Sequence, residues 1–265
     1  MANYNIDFDD LYSFYTFAMS QSGSREKSSR TVDNLDWYGG ASWEEACFLV
    51  NHGWEKGTIE VEKYRAVLYK NLVEYLPRQS IINAVSGFAV DVGAYLSNAP
   101  ECFYRREMKE SIATAPVVRI VVSLAFSASV KPEVITKRGA MICAMADAIE
   151  HSGYSVEIVG NEACESKGER SEINIILKQS TQALNVPTIA FCLAHPAMLR
   201  RMLFSVEEKT GWADFADRYG TPVDASESGD IYFGAIRSEV SPSVEDITTD
   251  ILNRMQSIGI DLSKN

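Results

Sequence analysis

The chain has 265 residues, 46% of them hydrophobic, with 25 Lys and Arg against 36 Asp and Glu for a formal charge of −11. That length supports one large or two modest domains around a packed core, which excludes a small disulfide- or metal-stapled scaffold. The acidic balance excludes a protein that coats nucleic acid by bulk electrostatics, because phosphate contacts need a basic face.

In chain order, residues 20–36 come first: Ser-rich and polar, with Arg25, Lys27 and Arg30 close together, they carry no hydrophobic period and read as a mobile loop. Gly39-Gly40 marks a turn, Ser42 and Glu45 stand at capping-box spacing, and Gly53 stops the short helix that they start. From about Val61 to Leu76, Tyr64, Val67, Leu68, Leu72 and Leu76 share a helical face, which Pro77 ends. Gly87, Gly93 and Pro100 among apolar residues predict strand and loop for the stretch that follows.

The character of the chain changes after Pro116. Val117 to Phe126 is an almost continuous β-branched and apolar run, the pattern of a central strand buried on both faces. Pro132 opens a helix to about His151, with Ile135, Ile142, Met145, Ala146 and Ile149 in one stripe and Gly153 as its cap. Tyr154 to Gly160 is a second strand, which makes 117–160 one right-handed strand–helix–strand unit. Residues 161–171 are polar and predict an exposed turn, so Ile173 to Gln179 pairs back as an antiparallel strand at or near a sheet edge. A helix from Pro196 repeats Leu199, Met202, Leu203 and Val206 on one side, residues 211–229 are loop-like, and Asp230 to Ile236 is a fourth strand. The last helix starts at Ser243, with Asp246 three positions on, and Gly259 closes it.

This order from 116 to 265 resembles a von Willebrand factor A (vWA) domain. The resemblance implies an α/β, doubly wound, mostly parallel sheet with helices on both faces, preceded by an N-terminal α+β extension over 1–115 that packs on the core or extends its sheet. In that family the first strand ends in Asp-x-Ser-x-Ser, whose oxygens hold a divalent ion. Here the segment is Ala125-Phe126-Ser127-Ala128-Ser129, so both serines match and the aspartate is missing. Thr181 stands where the family's threonine would follow the third strand, and Arg237-Ser238 stands where an Asp-Gly is frequent. Two hydroxyls beside a guanidinium make a poor trap for Mg²⁺, so the resemblance implies a degenerate site without metal. The whole chain also resembles a group of tailed-bacteriophage proteins of similar length, through Trp37 to Gly57, Val90 to Cys102 and Leu193 to Phe204; this implies a phage origin and an accessory role.

Other residue types bear on chemistry. The five cysteines, Cys47, Cys102, Cys143, Cys164 and Cys192, are odd in number and lack a Cys-x-x-Cys pair, which suits a reducing cytoplasm. No window reaches the ~18–20 apolar residues of a membrane helix, and the N-terminus is acidic where a signal peptide is basic. Gly-x-Ser-x-Gly, P-loop and dinucleotide glycine patterns are missing. His52, His151 and His195 show no ligand or triad spacing and read as structural, at helix ends. Arg105, Arg106 and Lys109 with Arg78, and separately Arg200 and Arg201, are the densest basic groups; solvated or ion-paired surface is their plainer reading. Phe103 and Tyr104 beside Arg105, Arg106 and Lys109 would offer stacking and phosphate contacts to a single strand. Trp43 and Trp54 flank a short helix and read as packing it to the body.

The expectation is therefore a non-enzymatic, cytoplasmic phage accessory protein without cofactor. It binds a phage or host protein at the carboxyl end of its sheet through Ser127, Ser129, Arg237 and Thr181, with Arg237 gripping a carboxylate directly. The alternative is single-stranded nucleic-acid binding by Phe103 to Lys109.

Overall fold

The computed structural model describes residues 4–20, 28–72, 81–86, 89–106, 117–151, 154–216, 218–237 and 243–259. Strand β1 (Ile6–Phe8) leads into helix α1 (Leu11–Met19), whose cap Asp10 accepts the Ser13 N–H at 2.7 Å. Short 3₁₀ turns follow at 28–30 and 35–38. Helix α2 (Trp43–His52) starts at Ser42, whose Oγ accepts the Glu45 N–H at 3.1 Å, while Glu44 rather than Glu45 takes the Ser42 hydroxyl proton. Half of the expected capping box is thus formed. Helix α3 (Glu55–Leu72) begins earlier than the hydrophobic stripe predicted, and its expected end at Leu76 and Pro77 lies outside the described residues. A small antiparallel sheet then forms from β2 (Ile81–Ala84), β3 (Ala89–Val90) and β4 (Phe103–Arg106), in the order β2-β4-β3, with helix α4 (Val92–Leu96) between β3 and β4.

The central sheet is built from β5 (Val117–Ser123), β6 (Ser155–Ser166), β7 (Glu169–Lys178), β8 (Thr221–Pro222) and β9 (Ile231–Phe233). Its order is β1-β7-β6-β5-β9, with β8 on the far part of β6. The β5–β6, β5–β9 and β1–β7 pairs are parallel, whereas β6–β7 and β6–β8 are antiparallel. The fold is α/β with a mostly parallel central sheet flanked by helices, and β5 lies inside it between β6 and β9. The predicted antiparallel return of β7 is present near the sheet edge, one strand in, because β1 pairs with its outer side.

One prediction fails in a way that matters. The polar stretch 161–171 is not an exposed turn: β6 and β7 run on through it and turn only at Lys167-Gly168, both at positive φ (49° and 78°). Asn161, Glu162 and Cys164 are consequently buried. Polar composition concealed a strand whose side chains are covered by elements distant in sequence.

Helix α5 (Pro132–His151) has the predicted limits, and Gly153 lies outside the described residues. Helix α6 (Val186–Ala194), an element missing from the sequence reading, starts at Asn185, which caps the Thr188 N–H. After His195 the chain continues through a π-helical segment (Met198–Leu203) into α7 (Phe204–Thr210), then α8 (Trp212–Phe215). The predicted stripe Leu199, Met202, Leu203 and Val206 is buried. Helix α9 (Val244–Ser257) carries the predicted cap, with Ser243 and Asp246 bonded reciprocally.

Among the described residues, helices cover one face of the sheet rather than both. Val118, Ile120 and Val122 of β5, with Ile231 and Phe233 of β9, enter one core shared with α1, α3, α5, α6, α7 and α9. On the opposite face a loop takes the place of helices: Gly229 sits against the Arg119 carbonyl and Val121, and Ser226 donates its N–H to Glu172. No single helix among the described residues is long and apolar enough to cross a membrane.

Candidate functional site

β5 ends at Ser123 and the chain turns through 124–130. Phe126 bridges Ile236, and Ser127 donates its N–H to the Ile236 carbonyl at 2.9 Å, which brings Ser127 beside Arg237. Ser127 is half-buried and Ser129 exposed. The Arg237 guanidinium pairs with Asp224 at 3.1 Å, both groups more than half exposed. Thr181 does not join them. Because β7 is antiparallel to β6, the turn after Lys178 lies where β6 begins, at the opposite end of the sheet. Ser238 lies outside the described residues.

Beside Ser127 opens a crevice of about 530 Å³. Trp37, Phe126, Phe204 and Tyr219 line it, and the last two rings stack with centroids 3.5 Å apart and planes 2° off parallel. Exposed Arg218 also lines the crevice, and the 124–128 turn closes one side. Ser28 and Trp37 come from the N-terminal segment, which is held by two arginines. Arg200 lies over the Trp37 and Phe126 rings and donates to the Trp37, Ala128 and Val130 carbonyls. Arg201 lies over Tyr38 and donates to the Ser29, Thr31 and Ala41 carbonyls. Both are buried, with 1% and 0% exposure, which corrects their reading as surface groups. Burial lowers Arg200 to about 10, so it stays charged at neutral pH. Residues 28–31 are likewise pinned: Ser29 is buried and donates both its N–H and its hydroxyl to Glu208.

Deep in the crevice, Glu162 and Cys164 point to one side of β6, as positions two apart on a strand must. Glu207 of α7 meets them there, and the thiol and carboxylate oxygens of the three lie within 4.8 Å of one another. The Cys164 thiol donates to Glu162 Oε1 at 2.8 Å. Glu162 Oε2 and both Glu207 oxygens meet no N–H or O–H donor of another side chain or of the backbone, and the two carboxyls lie close enough to hydrogen-bond each other when one of them holds a proton. Neighbouring Glu208 is the contrast, since Ser29 and the Tyr219 hydroxyl serve its carboxylate. Burial pushes Glu162 up to about 7 and Glu207 well above the carboxylate range, and the Cys164 thiol is also raised by burial and by these acids. Sequence reasoning missed this trio because it placed 161–171 in a turn. The available signal was the Glu-x-Cys spacing, legible only once the segment is a strand.

The other candidates are placed as follows. Phe103 and Tyr104 lie half-buried on β4, where the hydrogen bond to Asp91 and the charge of that carboxylate raise the Tyr104 phenol. The side chains of Arg105 and Arg106, and all of Arg78 and Lys109, lie outside the described residues. His195 is buried against Trp54 and Phe191, and its Nδ1 accepts the Ala197 N–H at 3.0 Å. Burial holds it down to about 4, which makes it a neutral structural ring. Trp43 and Trp54 pack against the core.

The family model described as "Domain of unknown function (DUF7192)" matches residues 2–261. No curated protein and no solved structure matches the chain.

Proposed function

The chain belongs to the DUF7192 family, and we propose that it is a non-enzymatic phage accessory protein: a vWA-like module of the host cytoplasm that binds a protein partner in the crevice at the carboxyl ends of β5 and β6. The observation that carries this reading is the crevice itself, about 530 Å³, aromatic-walled and placed beside Ser127, where open α/β sheets usually take ligands. An apolar or aromatic side chain of the partner fits among Trp37, Phe126 and the Phe204–Tyr219 stack, the type of pocket that anchors interfaces. Exposed Arg218 and the half-exposed Arg237 then meet an acidic group on the partner. Ser127 and Ser129 need no Mg²⁺ in this reading, since Ala125 supplies no anionic ligand. Asp91 next to Tyr104 weighs against the alternative, single-stranded nucleic acid on β4, because a carboxylate repels phosphate.

Capture of partners by the tagged full chain from infected host cells, with and without nuclease, tests the proposal. Proteins that stay bound after nuclease, are lost with Ser127→Trp, weaken with Arg237→Ala and do not depend on added Mg²⁺ support it. Loss of all partners after nuclease favours the nucleic-acid reading, and a partner that needs Mg²⁺ or ignores both substitutions overturns the crevice model.

A further inference from the structure

Three buried oxygens without a donor are costly, because an acceptor that gives up water and gains no partner forfeits its solvation. Glu162 Oε2 and the two Glu207 oxygens stand in that position, with 1% and 0% of their residues exposed. A thiol at 2.8 Å already serves the fourth oxygen, Glu162 Oε1. Two carboxylates this close need a cation between them or a proton shared by them. The described side chains supply no cation to these oxygens: Arg200 on the same crevice spends its donors on backbone carbonyls, and Arg170, whose charge reaches Cys164, pairs with Glu172. The trio also has a route to solvent, since Glu162 and Cys164 both line the crevice.

We propose that Glu162, Cys164 and Glu207 bind one divalent transition-metal ion of the zinc class, with its fourth coordination position facing the crevice. Three protein ligands plus one open position is the arrangement of a zinc site that accepts water or a ligand. Thiolate and carboxylate ligands of such an ion lie roughly 3–4 Å apart, so shifts of about 1 Å or less from the present spread of up to 4.8 Å complete it. The thiolate selects the metal class: Mg²⁺ and Ca²⁺ take six or more hard oxygen donors, whereas sulfur favours zinc and its neighbours. On binding, the Cys164 S–H proton and the proton held between the two carboxyls leave to solvent. One thiolate and two carboxylates then face a doubly positive ion, a net charge of −1 that Arg200 and Arg218 on the same crevice offset. This site lies on β6 and α7 and opens into the crevice that Ser127 also lines, but it does not depend on the identity of any partner.

The test is a Co²⁺ titration of the metal-free full chain. The expected result is one Co²⁺ per chain with a thiolate-to-cobalt charge-transfer band in the near ultraviolet, displaced by Zn²⁺ and lost at acid pH as protons compete. Cys164→Ser removes the band, and Glu207→Gln, which removes an anionic ligand, weakens binding by roughly 100-fold or more, since loss of even an outer-shell partner costs ~10–100-fold. Glu207→Gln is the control for folding, because its amide can donate to Glu162 and keep the metal-free protein intact. Cys47→Ser, which alters the half-buried cysteine elsewhere, retains the band. A wild-type chain that binds Co²⁺ without a thiolate band, or a band that survives Cys164→Ser, overturns the proposal. So does metal affinity unchanged in a folded Glu207→Gln variant; the pair then simply shares a proton.

Discussion

The guanidinium carbon of Arg201 lies 3.4 Å from the centre of the Tyr38 ring, so a residue of the π-helical segment clasps one that is more than 160 positions away in the chain. The same guanidinium binds the carbonyls of Ser29, Thr31 and Ala41, which leaves residues 28–41 folded over the helices. Neighbouring Arg200 does the equivalent for Trp37, a wall of the crevice. These arginines therefore shape the crevice as well as stabilise the fold.

Replacing Arg201 by Lys, which keeps charge but loses the planar fork, is expected to destabilise the protein by about 2–3 kcal/mol, because two or more buried carbonyls lose their donors. Urea unfolding measures it. A change under about 0.5 kcal/mol would show that the clasp is not a stability element.

The buried carboxyls predict a pH dependence of the metal-free chain. Burial raises Glu162 from the usual 4.5 to about 7 and raises Glu207 well above the carboxylate range. A raised acid is favoured in its neutral form, so its stabilisation is complete below about 4.5 and is lost as pH climbs through 7. Unfolding midpoints should fall over that window, and Glu162→Gln should flatten the slope. Identical pH profiles for the wild type and Glu162→Gln, in which the opposite contribution of His195 is common to both, would contradict it.

His195 works with the opposite sign. Its folded value, about 4, lies below the usual 6.5, so the neutral ring stabilises the fold above 6.5 and that contribution is lost as pH falls through 4. Its ring protons followed by NMR should show no titration between pH 5 and 8. A midpoint near 6.5 would mean that the ring is open to solvent.

Gly139 permits the close contact of α5 with α6. A Cβ there would stand 2.5 Å from the Ala194 Cβ and 2.9 Å from its Cα, backbone that cannot swing aside. In an isolated helix Gly→Ala gains up to about 1 kcal/mol, yet Gly139→Ala is expected to cost about 2 kcal/mol through overpacking. Thermal melting decides the sign.

Much of the frame is legible in the residue order. The apolar run at Val117, the stripe from Pro132 to His151 and the Ser243–Asp246 cap each predict an element that forms, because these signals are local: β-branched density, 3.6-residue spacing and a capping side chain act within a few residues. The approach of the 127–129 turn to position 237 follows from the parallel neighbours β5 and β9: Ser127 meets the Arg237 main-chain carbonyl, whereas the guanidinium that the sequence reading brought to Ser127 and Ser129 pairs with Asp224. Thr181 fails for a topological reason, since an antiparallel strand carries its following turn to the wrong end of the sheet.

The sequence by itself determined the α/β character, the interior place of β5 and the missing acidic ligand at Ala125, all consequences of residue type and short-range period. Only the tertiary structure decided that Glu162 and Cys164 are buried beside Glu207, that Arg200 and Arg201 face inward, and that the helices share one face. Burial is a property of what covers a residue. The covers here come from segments tens to more than a hundred residues away, so no local pattern around Glu162 or Arg201 records them.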